Sequence, residues 1–224
     1  ALTVILGSSL FAQETFPPTE IITGTFKGKT IPLRDFPTME AGAFNNPKSL
    51  TMVPVPNESN TTPEPNNTTT VIQNLQTKPG GIVALPLEQN FVGASSSESG
   101  FFPPDPTGAV GPDHYVHSVN SLVKIFDKTG TLLLGPIDLS DFLGNGSNNG
   151  DPIVLYDQLA DRWVVSEFGA GNNALSIGVS ETSDPTGAYN VWDFTFSSGF
   201  PDYPHYGVWH DGYYGTVNLS GAST

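Results

Sequence analysis

The chain has 224 residues, a formal net charge of −14 and no cysteine. This acidity argues against nucleic acid as a partner, because binding to phosphates requires clustered Lys and Arg side chains. Without cysteine the fold has no disulfide bonds, so a hydrophobic core or a bound metal must stabilise it.

The first predicted element is a short uncharged apolar run, residues 1–12, which ends before Gln13. This run is too short to span a bilayer, and no later stretch approaches the length of a membrane span. It is similar to the apolar part and cleavage site of a secretory signal. It therefore predicts a partial signal peptide and a protein that is secreted or held at the outer cell surface. The alternative interpretation is a buried first strand.

Residues 13–100 form a Pro-rich N-terminal region that contains neither Trp nor Tyr. Its middle, residues 53–70, is a polar Pro/Asn/Thr tract with too little apolar surface to order itself. We therefore expect a largely irregular region with a disordered linker at this tract. Two short apolar alternations, at 21–26 and 82–85, flank the linker and are candidates for edge strands of the folded part.

Residues 101–224 repeat one pattern at regular intervals. In each copy an Asp precedes an aromatic residue by two places and a Ser or Thr by five. The Asp residues of successive copies are 48 and 50 positions apart, at Asp113, Asp161 and Asp211. Apolar and polar residues alternate between these points, which predicts strands. A period near 50 in a β-patterned chain is typical of one four-stranded propeller blade.

The repeat assigns the predicted strands to blades. The first blade has strands at 107–110, 114–120, 122–127 and 131–138. The second has strands at 152–156, 162–168, 174–181 and 188–196, and the third has only two, at 205–209 and 212–218. The sequence thus predicts an all-β fold, a partial β-propeller of about two and a half four-stranded blades. Because closed propellers have about four to eight blades, we expect the rest of the propeller to be missing from this chain.

Three long motifs carry a resemblance to a known group of proteins. Residues 102–116, 150–163 and 201–214 each join an Asp-Pro or Asp-x-Pro step to the repeated Asp-aromatic pattern. Together they resemble secreted bacterial β-propeller proteins of the kind exported by type IX secretion. This resemblance covers about residues 100–218, and it implies a fold and a compartment but no reaction. The turn at 183–192 weakly resembles the Asp-box of sialidase-like propellers, which is a structural motif.

The best candidate site residues are the acids that precede each first strand: Asp105, Asp151 and Asp202. The first strand of a blade is innermost, so these carboxylates could converge at the mouth of the channel and bind Ca²⁺ or sugar hydroxyls. Tyr203 and Tyr206 could stack on sugar rings. Alternatively, each Asp accepts backbone N–H bonds beside a Pro that fixes the strand entry, and the tyrosines pack between blades.

Other metal sites have weaker support in the sequence. Residues 145–151 are rich in oxygen ligands but lack the acidic spacing of an EF-hand, so a loop between blades is the alternative. His114 and His117 are three positions apart on a strand and point to opposite faces. Calcium is therefore the only cofactor that the sequence suggests, with Asp105, Asp151 and Asp202 as its main ligands.

The sequence contains no Gly-x-Ser-x-Gly elbow, His-Glu-x-x-His motif or phosphate loop. Many acids are present, but none stands out as a pair for glycoside cleavage. We therefore expect an extracellular, non-catalytic module that binds glycan, matrix or protein partners. The alternative is a secreted carbohydrate-active hydrolase or lyase whose acids lie at the mouth of the channel.

Overall fold

The computed structural model describes residues 21–40, 89–146, 148–171 and 173–220. The predicted signal peptide at 1–12, the predicted linker at 53–70 and the alternation at 82–85 lie outside these residues. Within the described ranges the chain forms three antiparallel sheets joined by turns and short helices. The predicted all-β class is confirmed.

The elements follow the chain in a simple order. The first strand, β1 (Thr25–Lys29), precedes a 3-10 turn at Leu33–Asp35 and helix α1 (Ser96–Ser99). Sheet 1 contains β2 (Thr107–Val110), β3 (His114–Val119), β4 (Leu122–Asp127) and β5 (Leu132–Asp138), and helix α2 (Leu139–Leu143) follows it. Sheet 2 contains β6 (Ile153–Asp157), β7 (Arg162–Phe168), β8 (Ala174–Ser180) and β9 (Tyr189–Thr195), with β1 on the outer edge of β9. Sheet 3 is the hairpin of β10 (Phe200–Trp209) and β11 (Gly212–Ser220).

The eight strands predicted for the first two repeats are confirmed, each boundary to within one residue. The two strands of the third repeat are also confirmed, but β10 begins at Phe200 and not at the predicted residue 205. A register shift between Asp202 and His205 lets the pairing continue past Pro204. Such a bulge leaves the extra residues unpaired, so the missing N–H of the proline does not end the strand.

Aspartate side chains organise the hairpin turns. Asp127 Oδ1 accepts hydrogen bonds from Thr129 N at 2.8 Å and from Thr131 N at 2.9 Å. These bonds, led by that of the Thr129 hydroxyl, hold the pKa of Asp127 at about 2. Asp157 Oδ1 accepts in the same way from Leu159 N at 2.9 Å. Each turn is therefore closed by a carboxylate that replaces backbone acceptors.

The main core lies between sheet 1 and sheet 2. Trp163 of β7 and Tyr189 of β9 are fully buried there, and each donates a hydrogen bond to a carbonyl of the β8–β9 turn: Trp163 Nε1 to Ser183 O, Tyr189 OH to Pro185 O. Aliphatic side chains of both sheets and of α2 surround them: Val116, Val123, Ile125, Ile137, Leu139, Leu143, Val154, Val165 and Val191. Because alternate residues of β7 point the same way, Trp163, Val165 and Glu167 all face this core.

Sheet 3 packs on the opposite face of sheet 2. The rings of Phe168 and Phe200 lie 4.5 Å apart between their centroids. Tyr213 OH donates a hydrogen bond of 2.9 Å to Asp157 Oδ2, across the two sheets. The first strands of the three sheets are neighbours, since β2 contacts β6 and β6 contacts β10.

The described parts of the N-terminal region are joined to the sheets. Strand β1 pairs antiparallel with β9, which confirms that the alternation at 21–26 leads into an edge strand. Leu33 is 1% exposed and belongs to the main core. On the outer face of sheet 1, the buried Lys124 ammonium pairs with Glu98 of α1 at 2.9 Å.

Candidate functional site

One unusual backbone conformation recurs in each repeat, just before the strand that the sequence predicts to come first. Asp105, Asp151 and Tyr203 have φ angles of 38°, 52° and 54°, and each stands directly before a proline. Positive φ is uncommon for residues other than glycine and carries strain. Asp202 therefore lies one residue before the position that Asp105 and Asp151 occupy, and Tyr203 replaces an aspartate in the third copy.

The structure brings the three predicted aspartates together. Burial, and then the nearby negative charges of Asp105 and Asp202, raise the pKa of Asp151 to about 6. A hydrogen bond between the protonated Asp151 carboxyl and Asp105 adds to this shift. Like charges at close range favour the neutral form of one of them. Asp151 therefore titrates closer to neutral pH than an ordinary aspartate does.

A buried amide joins the two strained aspartates. Asn120 is fully buried, and its Nδ2 donates to Asp105 Oδ2 at 2.6 Å and to Pro103 O at 2.9 Å. Its Oδ1 accepts from Asp151 N at 2.8 Å. The sequence analysis did not single out Asn120. Its signal is its position seven places after the repeated Asp113, because the third copy also has an asparagine there, Asn218, which is paired with Asp202.

A buried carboxyl lies behind this cluster. Glu167 is 0% exposed, and it accepts hydrogen bonds from Gly150 N at 3.3 Å and from Asn145 Nδ2 at 3.1 Å. Burial raises the pKa of Glu167 to about 7, although these donors and the neighbouring Ser121 hydroxyl oppose the rise. The sequence analysis missed Glu167 as well. Its signal is the strand alternation, which places it on the same face as Trp163.

The two predicted tyrosines lie in different surroundings. Tyr203 is 62% exposed, and its ring contacts the ring of His205 at 4.4 Å between centroids. The Tyr206 hydroxyl is shielded from solvent, and it faces the hydroxyl of Ser166, which is also buried. Its side chain lines a cavity of about 490 Å³ between sheets 2 and 3. Tyr203 is therefore accessible to a ligand beside Asp202. Tyr206 instead packs between sheets 2 and 3, in agreement with the alternative interpretation.

The described residues give no support to the calcium prediction. Among them, no group of three or more His, Asp or Glu side chains is arranged to hold a metal ion. This applies to Asp105, Asp151 and Asp202 and to the four histidines alike. In the 145–151 loop, Asn148 Oδ1 accepts from Ser140 N at 3.1 Å. This oxygen is thus already committed to the start of helix α2.

Comparison with known proteins adds no family to this description. No protein-family model matches the chain, and searches of curated proteins and of solved structures give no match either. None of the helices in the described ranges is long and apolar enough to cross a membrane.

The arrangement has a definite chemical capacity. Carboxylate oxygens of three successive repeats can accept hydrogen bonds from hydroxyl or amine donors, and the neutral Asp151 carboxyl can donate one. The exposed ring of Tyr203 supplies an apolar surface next to them. Polar acceptors beside an exposed aromatic ring suit a ligand that presents hydroxyl groups around an apolar face.

Proposed function

We propose that this protein is an extracellular, non-catalytic β-propeller module that binds glycans at its cluster of Asp105, Asp151, Asp202 and Tyr203. The propeller part rests on the way the sheets follow one another. Each sheet is antiparallel and follows the previous sheet in the chain. The sheets pack face to face, and their first strands are adjacent. Radial packing of successive four-stranded sheets defines a propeller.

The uncovered face of sheet 2 supports the same architecture. Sheet 3 has two strands within the described residues, and part of the apolar surface of β8 and β9 opens into the cavity of about 490 Å³. Ile177, Val179, Trp192 and Phe194 line it. In the propeller that we propose, a four-stranded neighbouring blade would cover this surface. Burial of these side chains would be favourable by roughly 25 cal/mol per Å².

The glycan part of the proposal rests on one observation: carboxylates from three successive repeats lie close enough to perturb the pKa of Asp151. Hairpin turns explain Asp127 and Asp157, whose oxygens are occupied by backbone N–H groups. Mutual repulsion opposes the clustering of Asp105, Asp151 and Asp202, and no hairpin turn explains it. Acids with a perturbed pKa beside an exposed aromatic residue are candidates for a functional site.

A glycan array probed with the whole protein tests this function. We expect binding to selected polysaccharides that weakens about tenfold in Asp151→Asn, the equivalent of one lost hydrogen bond to a charged group. Asp113→Asn is the control, because it makes the same change at an exposed residue of the β2–β3 turn, in the repeat that precedes Asp151. Absence of glycan binding, or equal binding by both variants, would contradict the proposal.

The titration of Asp151 also favours a second candidate, a carbohydrate-active hydrolase or lyase. A carboxyl with a pKa of about 6 has the raised pKa that suits a general acid in glycoside cleavage. Release of reducing ends from the polysaccharides bound on the array, measured between pH 4 and 8, distinguishes the two functions. Turnover that Asp151→Asn abolishes would establish the enzyme, and binding without turnover would establish the module.

A further inference from the structure

We propose that Glu167 is the positioning residue of the acidic cluster: it fixes the strained step between Gly150 and Asp151 and thereby places the Asp151 carboxyl beside Asp105. This inference rests on the cluster being the working site of the proposed function. Packing of the core does not require an acid at this buried position, so Glu167 needs another role.

Two successive backbone N–H groups are held by two buried side chains. Gly150 N donates to Glu167 Oε1 at 3.3 Å, and Asp151 N donates to Asn120 Oδ1 at 2.8 Å. Glu167 and Asn120 are both 0% exposed, so water does not compete for these donors. The backbone of the step is therefore defined from both sides by side-chain acceptors.

Strain makes this support necessary. Gly150 and Asp151 have φ angles of 95° and 52°, and Pro152 follows directly. A non-glycine residue in this region costs on the order of 1–3 kcal/mol and persists only where the surroundings determine its conformation. The equivalent step at Asp105 is held through Asn120 itself, whose backbone N bonds Pro104 O at 2.9 Å. At Asp151 the corresponding backbone bond, Phe168 N to Gly150 O, is longer, at 3.2 Å.

Glu167 is linked to the aspartates from both sides of the cluster. Ser121, which neighbours its carboxyl, follows Asn120 in the chain, and Gly150 precedes Asp151. Asn145 Nδ2 also donates to Glu167, and it ties the loop after α2 to the same carboxyl. The charge of Asp138, at the start of α2, also disfavours the ionisation of Glu167. A movement of the Glu167 side chain should therefore displace two dipeptides of the site, Asn120–Ser121 and Gly150–Asp151.

Amide hydrogen exchange and carboxyl NMR of the whole protein test this role without any ligand. Glu167→Leu keeps the bulk of the side chain and removes the acceptor. We expect exchange at Gly150 and Asp151 to accelerate about tenfold, the equivalent of one hydrogen bond. We also expect the pKa of Asp151 to fall toward its ordinary value as the carboxyl gains solvent. Glu167→Gln retains an acceptor and should restore both readouts.

Controls separate positioning from general stability. The amides of Leu159 and Ala160 are held in a similar way by Asp157 and should keep their exchange rates in every variant. Glu181→Gln, which changes an exposed acid of sheet 2, should leave all these signals unchanged. Unchanged exchange at Gly150 and an unchanged Asp151 titration in Glu167→Leu would overturn the inference.

A wild-type measurement covers the case in which Glu167→Leu does not fold. The Gly150 amide shift should then show a component that titrates with Glu167 near pH 7 and disappears in Glu167→Gln. A flat Gly150 signal over that range would also refute the role. None of these results depends on glycan binding, so a failed glycan array and a failed positioning test remain distinguishable.

Discussion

Replacement of the buried Glu167 by glutamine should change how the stability of the protein depends on pH. The carboxyl has a pKa of about 7 in the folded state, against an ordinary value of 4.5. Below pH 4.5 it is protonated in both the folded and the unfolded protein and has no effect on the balance. Between pH 4.5 and 7 the unfolded chain releases this proton while the folded protein retains it. The contribution of Glu167 to the free energy of unfolding therefore falls across that window and is constant above it.

The size of the effect follows from the same two values. Each pH unit between them lowers the free energy of unfolding by about 1.4 kcal/mol, so the total loss is about 3 kcal/mol. Because Glu167 is fully buried, solvent does not screen this contribution. Glutamine carries no ionisable group, and the variant should not show this loss. It accepts only one of the two hydrogen bonds, from Gly150 and Asn145, which costs about 1 kcal/mol at every pH.

Urea unfolding at pH 4.5, 5.5, 6.5 and 7.5, followed by Trp fluorescence, measures the difference. Trp163 is fully buried in the core and reports unfolding directly. The Asp151 carboxyl contributes a slope of the same sign, but it is present in both proteins and cancels in the comparison. We expect the stability difference to shift by about 3 kcal/mol in favour of Glu167→Gln between the lowest and the highest pH. Parallel curves would show that Glu167 titrates near 4.5 in the folded protein and would refute the reasoning.

Two further substitutions test the packing. Leu33→Ala should cost about 2–5 kcal/mol in urea unfolding, because Leu33 is 1% exposed in the core and leaves a cavity; a loss below about 1 kcal/mol would mean that the N-terminal segment is not part of the core. Tyr213→Phe removes the 2.9 Å bond to Asp157 between sheets 2 and 3 and should cost about 1 kcal/mol. Tyr206→Phe removes a buried hydroxyl that faces the Ser166 hydroxyl without a well-formed hydrogen bond and should cost less, so equal thermal shifts in the two variants would contradict the assignment.

The strands were predictable because their signal is local. The alternation along residues 162–168 indicates the strand, and Asp157, which closes the turn before it, indicates where the strand begins. Helix α2 was not predicted, although its signal is also local. Asp138 accepts from Ser140 N and Asp141 N at its start, and Gly144 ends it with a φ of 61°. A helix of five residues is too short for its periodicity to stand out from the strand before it.

The acidic cluster was predictable only in part. The repeated acid before each first strand pointed to Asp105, Asp151 and Asp202, which do lie near one another. The groups that hold them, Asn120 and Glu167, belong to neighbouring strands and act through tertiary contacts. Sequence spacing carries no information on such contacts. The same limit applies to Tyr206, because only the packing of sheet 3 on sheet 2 buries its hydroxyl.

The outer sheet edges differ in how they meet solvent. At the edge of sheet 2, β1 carries Lys27 and Lys29, and its register shifts at Gly28. At the edge of sheet 1, β5 contains Pro136, whose carbonyl is already bonded by Met39 N at 2.8 Å. Lysine, proline and bulges on an edge discourage backbone pairing with another molecule.

Strand β11 has none of these protections. Its nine residues, Gly212–Ser220, include no proline and no charged side chain. Within the described residues its outer edge pairs with no other strand, and an uncharged edge of this length is a template for one more strand. In the proposed propeller that strand would be the next one of the same blade, so β11 differs from the two shielded edges in that it is suited to pairing.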